Sequence, residues 1–459
     1  MDYHKFLESK AQLGNMEGFK PLYIPDFLFD FQKYLVCWSI KKGKSGIFAD
    51  CGLGKTPMQL VWGENVVRFT NKPVLILAPL AVGMQTVREG EKFGIEVKRS
   101  LDGQIGKHIV VTNYERLHYF NPNDFGGVCC DESSILKNFD GAFKAQITEF
   151  MRRVPYRLLC TATAAPNDYI ELGTSSESLG ELGYMDMLSR YFTNKEHTSK
   201  LRRPGRFYNQ AVDGWRFKGH AETAFWRWVC SWARAVRKPS DLGLDDGKFI
   251  LPEMIERETI VKAKLPRANM LFDVTAVGLA EEREVKRRTI LERCEAAAQL
   301  VKHDKPAVLW CHLNDEGNTL KSMIPDSKQI SGSDSDEVKE ERFEAFRTGQ
   351  LRVLIIKPRI GAFGLNWQHC AHVVYFASHS YEQYYQAVRR CWRFGQTQPV
   401  VVDMVRTDSE ERIIENLKRK SLAADRMFTD LVRFMNESLK IDRNSYKINK
   451  VEVPNWLSK

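Results

Sequence analysis

The sequence predicts an α/β protein with two tandem parallel-sheet domains and a helical, basic insertion between them. Short apolar runs alternate with helical patterns, and these runs form two groups along the chain. Runs that are apolar along their whole length are typical of strands covered on both faces, as in parallel sheets. A chain of 459 residues is also too long for a single core. We therefore assign domains to residues 1–175 and 266–440, the insertion to 176–265 and a tail to 441–459.

The first domain opens with a helical pattern over residues 27–40, which includes Gln32. A second helix is predicted from Pro57 to a turn at residues 71–73. The strand, helix, strand order around it implies a βαβ unit in a parallel sheet. Strands of this group are predicted at residues 46–49, 74–78, 108–112, 127–131 and 157–161.

The loop between the first strand and the second helix is typical of a site for a nucleoside triphosphate. Gly52 and Gly54 allow the backbone to turn tightly, so that successive N–H groups face a phosphate at the start of the helix. Lys55 can then reach the β/γ-phosphates, and Thr56 can ligate Mg²⁺. The general pattern has glycine where this chain has Ala49. An ordinary glycine-rich turn with a surface lysine is the alternative.

Two carboxylates, Asp131 and Glu132, stand at the carboxyl end of the strand predicted at residues 127–131. The carboxyl ends of parallel strands are where such sheets bind ligands. Asp131 could hold Mg²⁺ through water, and Glu132 could orient and deprotonate an attacking water. The alternative is a helix cap, because acidic residues are also common at that position.

The stretch at residues 195–238 carries 11 lysines and arginines, 3 acidic residues and eight aromatic residues. Basic residues interleaved with aromatic ones suit phosphate contact and base stacking. Phe225, Val229 and Trp232 fall on one helical face, however, and that spacing favours core packing for the aromatic residues. Residues 239–247 have the composition of a linker.

The second domain repeats the α/β pattern without a phosphate loop. Gln386, Arg390 and Arg393 are spaced to share one face of a helix. A solvated arginine surface is one interpretation. The other is that Arg393 neutralises transition-state charge across a cleft between the two domains. Helices are predicted from residue 280 towards 301 and from residue 334, and strands at residues 307–311, 353–356, 373–376 and 400–403.

Composition narrows the class of protein. The net charge of +10 favours a polyanionic partner. No apolar run approaches a membrane span, and the first residues lack a signal-peptide pattern, so we expect no membrane contact and a cytoplasmic location. The ten cysteines are scattered without a C-x-x-C pair. This distribution argues against a zinc site and against a disulfide framework.

Taken together, these residues resemble the superfamily 2 helicases and translocases, in particular the Swi/Snf-type ATPases encoded by phages and prophages. Motif I of that family usually begins with alanine, which accounts for Ala49. Ser133 and Ser134 depart from the pattern, because the family often has a small residue and histidine there. The similar segments lie in order at residues 30–32, 49–56, 77–80, 111–115, 131–134, 161–163, 251–253, 361–366 and 386–396.

The resemblance implies two RecA-like domains that bind ATP and Mg²⁺ between them, with Mg²⁺ held by Thr56 and Asp131. The implied catalytic residues are Lys55, Asp131, Glu132, Arg390 and Arg393. The implied nucleotide contacts are Gln32, Gly52, Leu53, Gly54, Lys55, Thr56, Asp131, Gly364, Arg390 and Arg393. Coupling of hydrolysis to domain movement is implied for Thr161, Ala162, Thr163 and Gln386.

The partner implied by the resemblance is DNA, with duplex or branched DNA favoured. An RNA helicase is one alternative. Another is a nucleotide-gated motor subunit that works with a protein such as a methyltransferase or a replication factor. No oligomer is required. The implied nucleic-acid contacts are Pro79, Thr112, Asn113, Arg202, Arg203, Arg206 and Gly361.

Overall fold

The computed structural model describes residues 16–137, 141–165, 169–194, 215–262, 279–361 and 365–448. Within these ranges the chain forms two parallel sheets packed between helices, which confirms the predicted pair of RecA-like domains. Successive residues of a strand face opposite sides of a sheet. Accordingly, Ile47 packs into one apolar core of the first domain and Phe48 into the other. This two-sided burial is why the strands appear in the sequence as apolar runs.

The first sheet and its helices are built from residues 30–236. The strands are β1 (Lys44–Ala49), β2 (Val74–Ala78), β3 (Val97–Arg99), β4 (Ile109–Asn113), β5 (Gly127–Asp131), β6 (Tyr156–Thr161), the separate hairpin of β7 (Phe192–Asn194) and β8 (Trp215–Phe217), and β9 (Ala233–Val236). The helices are α1 (Asp30–Lys42), α2 (Lys55–Thr70), α3 (Gly83–Phe93), α4 (Ala142–Arg153), α5 (Leu172–Leu179), α6 (Tyr184–Tyr191) and α7 (Ala221–Trp232).

The first sheet has the strand order β3-β4-β2-β5-β6-β1-β9, with all neighbouring pairs parallel. Parallel strands end at the same edge of a sheet. The loop after Ala49, the carboxylate of Asp131 and the hydroxyl of Thr161 therefore lie along one edge, the position at which open α/β sheets bind ligands.

The second sheet has the strand order β10-β15-β14-β11-β13-β12, again all parallel. The predicted start of one helix is confirmed, because the side chain of Ser335 accepts a hydrogen bond from the N–H of Val338. The strands are β10 (Met254–Val261), β11 (Ala307–Trp310), β12 (Ser327–Ile330), β13 (Val353–Ile356), β14 (His372–Phe376) and β15 (Val400–Thr407). The helices are α8 (Leu279–Arg288), α9 (Ile290–Leu300), α10 (Asn314–Met323), α11 (Asp336–Arg347), the single turn α12 (Pro358–Gly361), α13 (Tyr381–Val388) and α14 (Glu411–Ile448).

Residues 215–236 are part of the first domain's core. Strand β9 pairs with β1 at the edge of the first sheet, although the sequence assigns this stretch to an insertion. A long-range pairing of this kind leaves no local pattern in the sequence. Trp226, Trp228 and Trp232 of α7 are buried, which confirms their prediction as core residues and rules out base stacking by these side chains.

Helix α14 crosses from the second domain to the first. Its early residues Ile413 and Leu417 pack with Tyr381 of the second domain. Farther along, Met427, Phe428, Leu431, Phe434 and Met435 join the apolar core of the first domain. The helix also continues past residue 440, where the sequence places the start of a tail.

Among the residues described above, no helix is both long and apolar enough to cross a membrane.

Candidate nucleotide site and interdomain groove

The loop between β1 and α2 has the shape of a phosphate cradle. Gly52 and Gly54 have φ angles of +88° and +73°, which favour glycine because it lacks a Cβ. A Cβ at Gly52 would lie 2.8 Å from the backbone nitrogen of Phe394, so the glycine also permits the second domain to approach the loop. Lys55 opens α2, and its Nζ lies 3.1 Å from the carbonyl oxygen of Ala49.

Gln32 fastens this loop to helix α1. Its Nε2 donates to the carbonyl oxygen of Leu53 at 2.9 Å, and its Oε1 accepts from the N–H of Phe29 at 2.9 Å. A Cβ at Gly54 would lie 2.3 Å from Nε2 of Gln32, so this contact requires glycine there. The resemblance predicts that Gln32 contacts the nucleotide. In the structure its amide holds the loop in position.

The two carboxylates at the end of β5, Asp131 and Glu132, are buried and differ in their partners. Asp131 accepts from Nε2 of Gln59 at 2.7 Å. Burial and the charge of Glu132 raise the pKa of Asp131 above its ordinary value. Glu132 has a φ of +53°, an unusual backbone conformation for a residue other than glycine, and it accepts from the hydroxyl of Thr161 at 3.3 Å.

Two arginines of the second domain reach the same cavity. Arg390 and Arg393 line a space of about 70 Å³ together with Lys55, Thr56 and Glu132. Helix α13 ends at Val388, so the expectation that both arginines lie on that helix is wrong. They follow it in turns that carry them towards the phosphate loop. Residues that are four and seven positions apart are compatible with one continuous helix. They are equally compatible with a helix that ends earlier and is followed by turns.

The electrostatics of this cavity suit an anion. Burial and the neighbouring Arg390 lower the pKa of Arg393 to about 10. The Nη1 of Arg393 donates to the carbonyl oxygen of Leu365 at 3.0 Å, whereas its Nε is buried without a partner. Buried donors are normally satisfied, and an arginine fork matches phosphate geometry. A triphosphate would supply the missing acceptor.

A divalent cation also fits the residues present. Thr56 and Asp131 line the same cavity and offer a hydroxyl and a carboxylate, the oxygen ligands that Mg²⁺ prefers. Across the described ranges there is no cluster of three or more His, Cys, Asp or Glu residues that could hold a metal by themselves. Mg²⁺ bound mainly through substrate phosphates and water needs only one or two protein ligands.

A chain of hydrogen bonds links the carboxylates to the second domain. Thr161 bonds to Glu132, and its Oγ1 accepts from the N–H of Thr163 at 3.0 Å. The hydroxyl of Thr163 accepts from Nε2 of Gln386 at 3.3 Å. The predicted coupling residues therefore form a path from Glu132 across the domain boundary. The remaining predicted member, Ala162, is buried within this segment.

The sequence did not single out the contact between Asp50 and Arg389. The Nη2 of Arg389 lies 2.6 Å from Oδ2 of Asp50 and 2.8 Å from the carbonyl oxygen of Cys51. Tyr385 also donates to Oδ1 of Asp50. Both members of the ion pair are buried. The signal in the sequence that could have indicated this pair is the position of Asp50 inside a phosphate loop. A negative charge there repels phosphate unless a cation neutralises it.

The predicted nucleic-acid contacts are only partly at the surface between the domains. Pro79 lines a groove of about 440 Å³, and Asn113 lines an adjoining one of about 380 Å³. Thr112 is buried and donates to the carbonyl oxygen of Ser100 at 2.8 Å, and Gly361 is packed against Ile356, so neither faces the groove. The predicted nucleic-acid contacts Arg202, Arg203 and Arg206 lie outside the described residues, as does Gly364, which was predicted to contact the nucleotide.

Residues 292–395 match a family described as the helicase conserved C-terminal domain. The second domain is similar to that family. The match includes Arg390 and Arg393, which line the cavity described above. No curated protein matches the chain.

Two solved structures are similar over most of the chain. One is the SWI2/SNF2 ATPase core of Sulfolobus solfataricus in complex with dsDNA, with 16% identity and a TM-score of 0.39 over 91% of this chain and 96% of that chain. The other is Dbp5 of S. cerevisiae bound to RNA and ADP BeF3, with 13% identity and a TM-score of 0.49 over 85% of this chain and 89% of that chain.

Proposed function

We propose that the protein is an ATP hydrolase of the superfamily 2 helicase and translocase type, of the Swi/Snf kind, and that it couples hydrolysis to movement on DNA. One observation carries this proposal. Lys55 of the first domain and Arg390 and Arg393 of the second line one cavity. A phosphate-binding lysine needs no second domain for binding alone. Arginines brought from another domain allow hydrolysis to depend on how the domains are arranged.

The residues of the cavity divide the work of hydrolysis. The loop amides and Lys55 bind the phosphates, and Glu132 orients the attacking water and accepts its proton. Arg393 stabilises the charge that develops on the transferred phosphoryl group. Mg²⁺, when held by Thr56 and Asp131, neutralises phosphate charge. The bonds from Glu132 through Thr161 and Thr163 to Gln386 transmit the state of the site to the second domain.

Duplex or branched DNA is the substrate we favour, because the chain has a net charge of +10 and resembles the Swi/Snf-type motors. RNA unwinding is the second candidate. A motor subunit that needs a partner protein for turnover is the third. These candidates share one site and differ in what stimulates it.

We expect ATP hydrolysis by the purified protein to rise at least several-fold with duplex or forked DNA, and less with single-stranded DNA or RNA. Phosphate release with each nucleic acid at equal nucleotide concentration measures this. Stimulation by RNA alone would favour the second candidate, and hydrolysis only after a partner protein is added would favour the third. Absence of hydrolysis under all of these conditions would overturn the proposal.

Breaking the Asp50–Arg389 pair should lower kcat by about 10²-fold, because a misplacement of about 1 Å in a catalytic group costs that much. Asp50→Asn and Arg389→Gln should differ in KM for ATP. Arg389→Gln leaves an uncompensated carboxylate in the phosphate loop and should raise KM more than Asp50→Asn does. The double variant should be little worse than either single variant, because both remove the same contact.

The control for that pair is Arg257→Gln. Arg257 bonds to Asp403 with both distances at 2.8 Å, but both residues belong to the second domain. This control should leave kcat and KM within about twofold of the wild type, because the side chain of Arg257 is 54% exposed and does not line the cavity. Equal losses in the control and the Asp50 variants would assign the interdomain pair a purely structural role.

A further inference from the structure

Helix α11 of the second domain presents carboxylates to arginines of the first domain. Glu340 lies 2.8 Å from Nη1 of Arg99, and Glu344 lies 3.0 Å from Nη1 of Arg88. Arg88 belongs to α3, and Arg99 ends the edge strand β3. Residues 340 and 344 are one helical turn apart, so both carboxylates point to the same side. Two ion pairs therefore join the domains along one face of α11.

One of these pairs, Arg99–Glu340, reaches the groove that is lined by the predicted nucleic-acid contact Pro79. Glu340 and Phe343 of α11 line the groove opposite Pro79 and Leu80. The guanidinium of Arg99 lies beside the first residue of α3, because a Cβ on Gly83 would be 3.4 Å from its Nε. Arg99 therefore lies close to the start of α3, which follows β2 in the chain. Of the four charged residues, Glu340 lines the groove, and its ion pair holds the guanidinium of Arg99 next to it.

The Arg88–Glu344 pair is of a kind that a polyanion can displace, whereas in the second pair Glu340 is 40% exposed and Arg99 is 15% exposed. The side chains of Arg88 and Glu344 are 55% and 38% exposed, and exposed ion pairs are weak and screened by salt. Hydrogen bonds from Arg347 and Arg88 lower the pKa of Glu344 to about 2, so it stays charged at neutral pH. Glu344 also keeps Arg347 as a partner within its own helix if Arg88 moves away. If Arg88 leaves Glu344 to bind another anion, Glu344 therefore still has Arg347 as a partner and is not left as an isolated carboxylate.

We propose that Arg88 and Arg99 bind the phosphodiester backbone of a nucleic-acid strand, and that Glu340 and Glu344 are displaceable counter-ions which occupy them until the strand arrives. This inference rests on the nucleic-acid partner in the proposed function. It adds a regulatory contact: the acidic face of α11 competes with the strand for the same two guanidinium groups. A strand must break both interdomain pairs to enter, so entry shifts the arrangement of the domains.

The test compares two double variants with the same change in net charge. Glu340→Gln with Glu344→Gln removes the competing carboxylates. Glu337→Gln with Glu341→Gln alters two exposed carboxylates on the same helix and serves as the control. Binding is measured by fluorescence anisotropy of a labelled 30-base-pair DNA duplex without nucleotide, with a labelled RNA of equal length in parallel. We expect the first variant to bind about 3- to 10-fold tighter than the wild type, as loss of two weak competing pairs predicts, and the control to stay within about twofold.

A third variant, Arg88→Gln with Arg99→Gln, identifies the phosphate contacts. It should weaken binding and reduce the slope of log affinity against log salt by about 1 for each arginine removed. Equal tightening in the two glutamate variants, or an unchanged salt slope in the arginine variant, would overturn the inference and leave the proposed function standing. Wild-type protein that binds neither DNA nor RNA would overturn both.

Discussion

Replacing Lys55 with alanine is expected to lower kcat/KM for ATP by about 10³-fold, because a single preorganised charge at a phosphoryl-transfer site contributes that much. The partners of its Nζ are the carbonyl oxygens of Ala49 and Asp50, at 3.1 and 3.5 Å. Neutral acceptors leave its positive charge available to phosphate. The positive charge of Lys55 also favours the ionised form of the nearby Asp131. Its loss should therefore weaken nucleotide binding as well as turnover, as measured by phosphate release and by titration of a fluorescent ATP analogue.

Lys20→Ala is the matched control, because Lys20 is an exposed lysine of the first part of the chain. It should change neither quantity by more than about twofold, as is usual for a surface charge. Activity of Lys55→Ala equal to that of this control would reject the phosphate-loop assignment and, with it, the proposed ATPase.

Arg393→Ala is expected to lower kcat by about 10³-fold or more while changing ATP affinity little, as for an arginine that acts on the transition state. Single-turnover hydrolysis separates this effect from binding. The same variant should unfold at an unchanged or higher temperature. Arg393 is half-buried, its pKa is lowered and its buried Nε has no partner, so its removal relieves a burial cost.

Arg412→Ala removes an exposed arginine of the second domain and should leave turnover and thermal unfolding unaltered. Arg393→Lys retains a charge but loses the fork, and it should recover only part of the lost turnover. If Arg393→Ala lost binding and turnover in equal measure, Arg393 would be a ground-state contact. A lower unfolding temperature would mark it as a structural residue.

Local patterns predicted much of the fold because burial acts residue by residue. The runs at β2 and β13 are apolar throughout, and β5 is apolar as far as Asp131, because both faces of each sheet are covered, and their predicted bounds agree with the structure. Helix α1 and the loop that leads into α2 were likewise predicted from periodicity and glycine position. These features depend on neighbours within a few residues, which the sequence displays directly.

Contacts between distant residues could not be predicted in the same way. Asp50 and Arg389 are 339 positions apart, and neither flanking segment indicates the other. The pairing of β9 with β1 is equally non-local. The end of α13 at Val388 also escaped prediction, because Arg390 and Arg393 keep helical spacing beyond it. In each instance tertiary packing, which a single sequence does not display, decided the outcome.

Helix α14 has a consequence for how the protein is made. Met427, Leu431 and Met435 complete the apolar core of the first domain, against α7 and β9. A ribosome synthesises residue 435 long after the strands of that domain have left the exit tunnel. Domains normally fold as units from the N-terminus during synthesis. The core of the first domain therefore stays partly uncovered until the helix after the second domain has been synthesised and has emerged from the ribosome.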